Sequence, residues 1–367
     1  MTSLGMRRDS VATPSLILEC DTLDRNIAVM SAFAKSKGLA MRPHAKSHKS
    51  PEIARRLVAA GASGACCATI HEAEALAAGG IGGLLITSPL AGPHMLERLS
   101  RLLLRGADLM VTADDPGNVR QLAEIAATQG RVLPVVIDLD AGLARTGCAS
   151  VQTAVNLAEE IARHPSLRFA GVQAYWGGLQ QVMPFDERGR RVAEETQNLR
   201  ALVKTLTARG MPPAIVSGGG TGTHWHDAAQ GIFTELQIGS FLFLDSMYHA
   251  TQLTPDGNPF TPSLFVAASV VSASHPGRVT VNAGYKALAT DSGKPVPMRG
   301  APPGSVYSFM GDEHGVIAFA TGEAPVLGAT VELLTPHCDP TVNLHQRYLV
   351  ARGDEIVDEW PILSRGY

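Results

Sequence analysis

The sequence of 367 residues predicts an α/β chain: a (β/α)8 barrel of the TIM type followed by a C-terminal all-β domain. Three observations carry that prediction. Short runs rich in Val, Ile and Leu alternate with helix-period segments about eight times, as βα units do. About eight units in roughly 200 residues match a closed barrel better than an open doubly wound sheet. Near Leu253 the pattern changes to short runs rich in Thr, Val, Pro and Gly, such as SLFVAASVVSAS, RVTVNAG and TVELL, spaced by turn signals.

Taken in order, MTSLGMRRDS reads as a short mobile lead without the apolar core of a signal peptide. Ser15 to Cys20 reads as a strand that has no place among the eight and is expected to pair with the C-terminal β domain. A helix follows from Thr22 to Lys37, capped by Asp21 and closed by Gly38. The barrel strands are expected to begin near Leu39, Gly64, Gly83, Asp108, Val132, Arg168, Ala214 and Thr234. Pro51, Pro93, Pro116 and Pro184 mark helix starts. The barrel is thus expected over residues 21–250, and the β domain over 1–20 and 251–367, with no convincing amphipathic helix in the latter.

Composition narrows the partners. A net charge of -3 gives no broad basic field, so neither nucleic acid nor an anionic membrane surface is expected, and a small molecule is. No window approaches the ~18–20 apolar residues of a membrane span. Five cysteines, with Cys66 and Cys67 adjacent, argue against a disulfide framework and for a reducing, cytoplasmic setting.

In such a barrel the chemistry gathers where the strands end. Those positions hold RPHAKSHK after the first strand, DLDAGLARTG after the fifth, QAYWGG on the sixth, SGGGTGTHWHD after the seventh and QIGSFLF after the eighth. Unhindered amides in SGGGTGT, with Gly239 and Ser240 nearby, could cradle a phosphate, or the segment could be a plain flexible turn. Lys46, flanked by His44, His48 and Lys49, could carry a depressed pKa and attack a carbonyl, or RPHAKSHK could be a solvated basic turn. A lysine and a phosphate cradle at one barrel mouth together suggest pyridoxal 5'-phosphate. In the β domain, His337 and Asp339 would share one face of an extended segment and could hold Mn²⁺ or Mg²⁺ in preference to Zn²⁺; the same tripeptide could also be a polar turn before Pro340.

The pieces RPHAKSHK, RTG, QAYWG, SGGGTGT, TELQIGSF and PHCDPTVNLH, in that order, resemble the D-threonine aldolase and D-serine dehydratase family, fold-type III pyridoxal-phosphate enzymes with an alanine racemase-like barrel. The resemblance runs from about Thr13 to Tyr367. It implies that Lys46 is the Schiff-base lysine and that Gly220, Thr221, Gly239, Ser240 and Tyr248 contact the cofactor. It further implies that Arg145 lies beside the cofactor, that Tyr175 lines the ring pocket, and that His337 and Asp339 are the metal ligands. Aspartate in HCDP resembles the aldolase branch; the dehydratase branch carries cysteine there. Three positions depart from the family pattern: Ala68 replaces glutamine, Trp176 replaces histidine, and Gln181 stands where a proton-transferring histidine is usual.

The expected reaction is metal-assisted cleavage of a D-β-hydroxy-α-amino acid, such as D-threonine, to glycine and an aldehyde. Lys46 would handle protons at Cα, and His44, His224 or a metal-bound hydroxide would be the base at the hydroxyl. The nearest alternative is dehydration of D-serine or D-3-hydroxyaspartate on the same scaffold. A non-catalytic pyridoxal-phosphate-binding protein is the alternative from another class, although such single-barrel carriers lack a β domain. The family resemblance also implies a homodimer.

Overall fold

The chain enters through β1 (Ser15–Glu19), whose Leu16, Ile17 and Leu18 are fully buried, and turns at once into α1 (Cys20–Ser36). The structure, a computed structural model, describes residues 3–366. Eight parallel strands follow: β2 (Ala40–Met41), β3 (Cys66–Cys67), β4 (Leu84–Ile86), β5 (Leu109–Ala113), β6 (Leu133–Asp138), β7 (Leu167–Ala174), β8 (Ile215–Gly218) and β9 (Glu235–Leu236). They hydrogen-bond in the order β2-β9-β8-β7-β6-β5-β4-β3, and a parallel bridge between His44 and Cys66 links β2 back to β3. Each strand begins within two residues of the position read from the sequence.

The outer helices are α2 (Pro51–Ala59), α3 (Ile70–Ala78), α4 (Pro93–Leu104), α5 (Pro116–Thr128), α6 (Val151–Ala162), α7 (Phe185–Ala208) and α8 (His224–Ala229), with α9 (Ser246–His249) after the last strand. Pro51, Pro93 and Pro116 occupy the first helical position, where a missing N–H costs nothing. Pro184 falls one residue earlier, at the cap of α7. Helix α1 starts at Cys20, so Asp21 does not cap it; its carboxylate sits in the first turn, where the helix dipole favours it. Gly38, at φ +67°, ends that helix as expected.

The second sheet contains β10 (Leu264–His275), β11 (Arg278–Val281), β12 (Val296–Arg299), β13 (Val306–Phe309), β14 (Gly315–Ala318), β15 (Thr330–Leu334), β16 (Arg347–Arg352) and β17 (Glu355–Pro361). Strand β1 completes it, antiparallel to β10 and parallel to β16, with Leu18 opposite Leu264 and Val350. Two expectations need correcting. The lead is packed rather than mobile from residue 3 onward: Arg8 is buried and pairs with Glu19 and Glu332, and the Gly5 amide donates to Ile356; Met1 and Thr2 lie outside the described residues. The β domain does hold a helix, α10 (Cys338–Leu344), which tolerates Pro340 because it falls in the first turn.

One apolar cluster joins the two parts. It runs from Leu23 and Met30 of α1 through Phe241 and Phe243 after β9 to Val266, Leu333 and Tyr348 of the second sheet. Burial of each such side chain contributes about 1.5–3 kcal/mol, enough in sum to fix the β domain against the barrel. All five cysteines are free and buried, and among the described residues no helix is long and apolar enough to cross a membrane.

Candidate active site

The C-terminal ends of the barrel strands open into a cavity of about 370 Å³, within the range of small-ligand pockets. Lys46, Arg145, Tyr175, Gly220, Thr221, Gly239, Ser240 and Tyr248 all line it, although they come from five separate segments. Asp339 reaches the same cavity from α10. His337 is not among the lining residues.

Asp245 explains how a β-domain residue arrives there. Its Oδ1 accepts the Tyr248 amide and caps α9, while its Oδ2 accepts the Cys338 amide at 3.1 Å. Ser246 adds bonds to the Thr335 and Pro336 carbonyls. Beneath, the Tyr348 hydroxyl donates to the His48 carbonyl at 2.6 Å, tying β16 to the Lys46 segment. The first turn of α10 is thereby held over the barrel mouth.

Lys46 Nζ donates to Asp339 Oδ2 at 2.5 Å. The depressed lysine pKa expected from RPHAKSHK is therefore not found. Asp339 raises the Lys46 pKa, outweighing burial. The neighbouring bases do not repel it as a cationic cluster would: burial lowers His44 and His48 to about 3, so both are neutral, and Lys49 is paired with Glu72 at 2.9 Å. Burial opposes ionisation of Asp339, but Lys46 and His337 together hold its carboxyl below the usual range. The Lys46 side chain remains 43% exposed, so a ligand in the cavity can reach it.

On the far side of the cavity the backbone amides of Thr221, Gly239 and Ser240 have no hydrogen-bond partner among the described residues. Thr221 Oγ1 accepts the Phe241 amide at 3.0 Å and so locks the loop after β8 to the turn after β9. Three free amides on two linked turns, without a carboxylate partner, are the kind of donors an anion would require.

His337 and Asp339 are not on one extended face. His337 caps α10 with extended backbone, and Asp339 lies in the following helical turn. His337 Nδ1 meets Asp291 Oδ2 at 2.6 Å, an arrangement that fixes an imidazole so that its other nitrogen can bind a cation. Among the described residues no group of three metal-binding side chains is found.

A polar ladder supports the cavity from below. Arg42 pairs with Glu235, Ser217 donates to Glu235 at 2.7 Å, Gln237 donates to Ser217 and Gln173, and Gln173 donates to Asp138 at 3.0 Å. Burial pushes Asp138 up to about 6 against the bonds from Thr146 and Gln173. His44 lines the cavity and bonds Thr87 through Nε2 at 3.2 Å. His224 does not line it; its Nδ1 meets the Thr221 carbonyl, and its ring packs on Phe33 and Phe260. Of the departures noted above, Ala68 lines the cavity, Gln181 contacts Met247, and Trp176 is buried below the glycine loop. Asp245, Asp291 and Tyr348 escaped the sequence reading because their partners lie 46 to 300 residues away.

The barrel and its lysine-bearing first loop define an alanine racemase-like enzyme scaffold. The family model for the alanine racemase N-terminal domain matches residues 18–247, and that for the serine dehydratase domain matches residues 263–351. Two curated relatives span almost the whole chain. The 3-hydroxy-D-aspartate aldolase of Paracoccus denitrificans (strain Pd 1222) is 36% identical, covering 99% of this chain and 94% of its own. The D-threonine aldolase of an Arthrobacter species is 37% identical, covering 97% and 93%. The crystal structure of the D-threonine aldolase of Filomicrobium marinum superposes with a TM-score of 0.95 at 37% identity, covering 100% of this chain and 99% of that one. The chain belongs to the D-threonine aldolase and D-serine dehydratase family, in its aldolase branch, and is a lyase.

Proposed function

We propose that this enzyme uses pyridoxal 5'-phosphate and a divalent cation, Mn²⁺ or Mg²⁺ in preference to Zn²⁺, to cleave D-threonine and related D-β-hydroxy-α-amino acids to glycine and an aldehyde. The observation that carries this reading is the meeting of Lys46 and Asp339, an amine from the barrel and a carboxylate from the β domain, 2.5 Å apart in one cavity. When bound, pyridoxal 5'-phosphate withdraws electrons from the bond being broken, and the cation makes the β-hydroxyl more acidic.

The cavity fits both groups. The free amides of Thr221, Gly239 and Ser240 suit the phosphate, and Lys46 is within the same space for the aldehyde. Tyr175, Tyr248 and Arg145 line the same cavity. Asp339 and His337, the latter steadied by Asp291, offer one oxygen and one nitrogen to a hard cation. Leu143 and Ala141 add apolar surface to the cavity wall. Lys46 Nζ would carry the proton at Cα. His224, held in the core, is set aside as the base at the hydroxyl, which leaves His44 as the side chain in place for that role.

Dehydration is the second reading, favoured by the serine dehydratase domain match over 263–351. Aspartate rather than cysteine at 339 and the two full-length aldolase relatives favour carbon–carbon cleavage. A purely cofactor-carrying role fits less well, because the β domain itself supplies Asp339 to the cavity. The same reading includes a barrel over 21–250 with a β domain over 1–20 and 251–367, and a homodimer in the cytoplasm. Free, buried cysteines support the reducing compartment.

The test is product analysis. The cofactor-loaded enzyme is incubated with D-threonine, D-3-hydroxyaspartate and D-serine, with and without Mn²⁺. Glycine plus an aldehyde, abolished by EDTA, is the expected outcome; a keto acid with ammonia would sink the aldolase assignment. Lys46→Ala is expected to abolish the visible band of bound pyridoxal, and persistence of that band would overturn the cofactor assignment.

A further inference from the structure

Below the glycine loop lies a buried polar assembly for which the chemistry above has no use. Asp227 of α8 is fully buried. Its Oδ1 accepts the Trp176 indole N–H at 3.1 Å, and its Oδ2 accepts the Thr223 hydroxyl at 2.6 Å and the Gly220 amide at 3.3 Å. Gln180, equally enclosed, accepts the Gly222 amide at 2.9 Å and donates to Thr223 Oγ1 at 2.9 Å and to the Trp176 carbonyl at 3.2 Å. Two side chains thus hold Gly220, Gly222 and Thr223, while the Thr221 amide between them stays free at the cavity.

The fit is close enough to exclude side chains from the loop. A Cβ on Gly219 would lie 2.6 Å from Asp227 Oδ2, and one on Gly220 would lie 2.4 Å from Gln180 Oε1. Gly219 also has φ +73°, a conformation glycine adopts freely. No cation is paired with Asp227 among the described residues, and burial raises its carboxyl to about 7 despite three hydrogen bonds. A buried carboxylate without a counter-charge is expensive, and here it is offset only by the three buried donors it satisfies. Its geometric effect is to shape the loop.

We propose that Asp227 and Gln180 are positioning residues for the phosphate end of the cofactor: through Trp176, Thr223 and the Gly220 and Gly222 amides they hold the loop so that the Thr221 amide, with those of Gly239 and Ser240, faces one anion. The proposal rests on the pyridoxal 5'-phosphate reading above. It also gives a place to Trp176, which acts beneath the loop rather than on the substrate.

The test compares pyridoxal 5'-phosphate with pyridoxal, which has the same aldehyde and no phosphate, by equilibrium titration of the full chain. The variants are Asp227→Asn, Gln180→Leu and Trp176→Phe. Each variant is expected to lose roughly tenfold or more in affinity for the phosphorylated form, the equivalent of one displaced hydrogen bond to a charged group. Affinity for pyridoxal should change less than about twofold. Parallel losses for both ligands, or unchanged affinity for pyridoxal 5'-phosphate, would overturn the proposal. Trp176→Phe keeps the carboxylate and an aromatic ring while removing the indole N–H, so it carries the test if Asp227→Asn does not fold. Failure of the underlying reading looks different: wild type itself would yield no borohydride-fixed pyridoxyl group on Lys46.

Discussion

Lys46 and Asp339 show how far a single residue's chemistry depends on its distant partner. RPHAKSHK was legible as a reactive basic segment, but the sign of the Lys46 shift was not, since Asp339 lies 293 positions away. That partner sets a prediction. Attack on an aldehyde needs the neutral amine, so Asp339→Asn, which removes the charge that raises Lys46, should speed capture of pyridoxal 5'-phosphate by the cofactor-free protein at pH 7. Each unit by which the lysine pKa falls gives about tenfold more free amine. Stopped-flow absorbance would measure this, and an unchanged or slower rate would contradict it. Asp291, equally invisible in the sequence, steadies His337. Asp291→Ala should weaken Mn²⁺ binding about 10–100-fold by calorimetric titration without displacing the cofactor band. Retention of full cation affinity would show that Asp291 is only a surface partner.

At the scale of elements, local signals succeeded wherever the backbone itself was the constraint. Pro51, Pro93 and Pro116 fixed helix starts, and the apolar runs fixed the strands, because both effects act within a few residues. They failed where tertiary contacts decided the outcome. The lead is ordered by burying Arg8 against Glu19 and Glu332, and HCDP becomes helical as Asp245 holds the Cys338 amide. The glycine loop belongs to both groups. Its composition predicts an anion cradle, while several of its glycines answer to packing. A Cβ on Gly222 would lie 1.8 Å from the Gln180 carbonyl oxygen, so Gly222→Ala must move backbone rather than a side chain. It should cost about 1–3 kcal/mol or more and release the cofactor. Urea unfolding and cofactor absorbance would report the two effects, and a variant of native stability would refute the steric account.

Across the whole molecule, buried carboxyls and buried imidazoles pull the pH dependence of stability in opposite directions. Burial raises Asp138, Asp227 and Asp245 to about 6, 7 and 6, against the hydrogen bonds each accepts. For a group raised in the folded state, stability is present in full below its unfolded pKa near 4 and is lost as pH climbs through the folded value. Burial lowers His48 and His224 to about 3 and 4, so the unfolded chain takes up protons that the folded chain refuses, and stability is lost as pH falls below about 6.5. The two sets oppose each other between pH 4 and 7, and single substitutions should expose each slope. Asp227→Asn should become more stable relative to wild type as pH rises from 4.5 to 7.5, since it deletes a term that grows more costly with ionisation. His224→Gln should show the reverse, gaining relative stability as pH falls from 6.5 to 4.5. Over these ranges of pH each difference is limited to about 3–4 kcal/mol. Denaturant midpoints at fixed, saturating cofactor would measure both, and variant curves parallel to wild type would mean that these groups do not change protonation on folding.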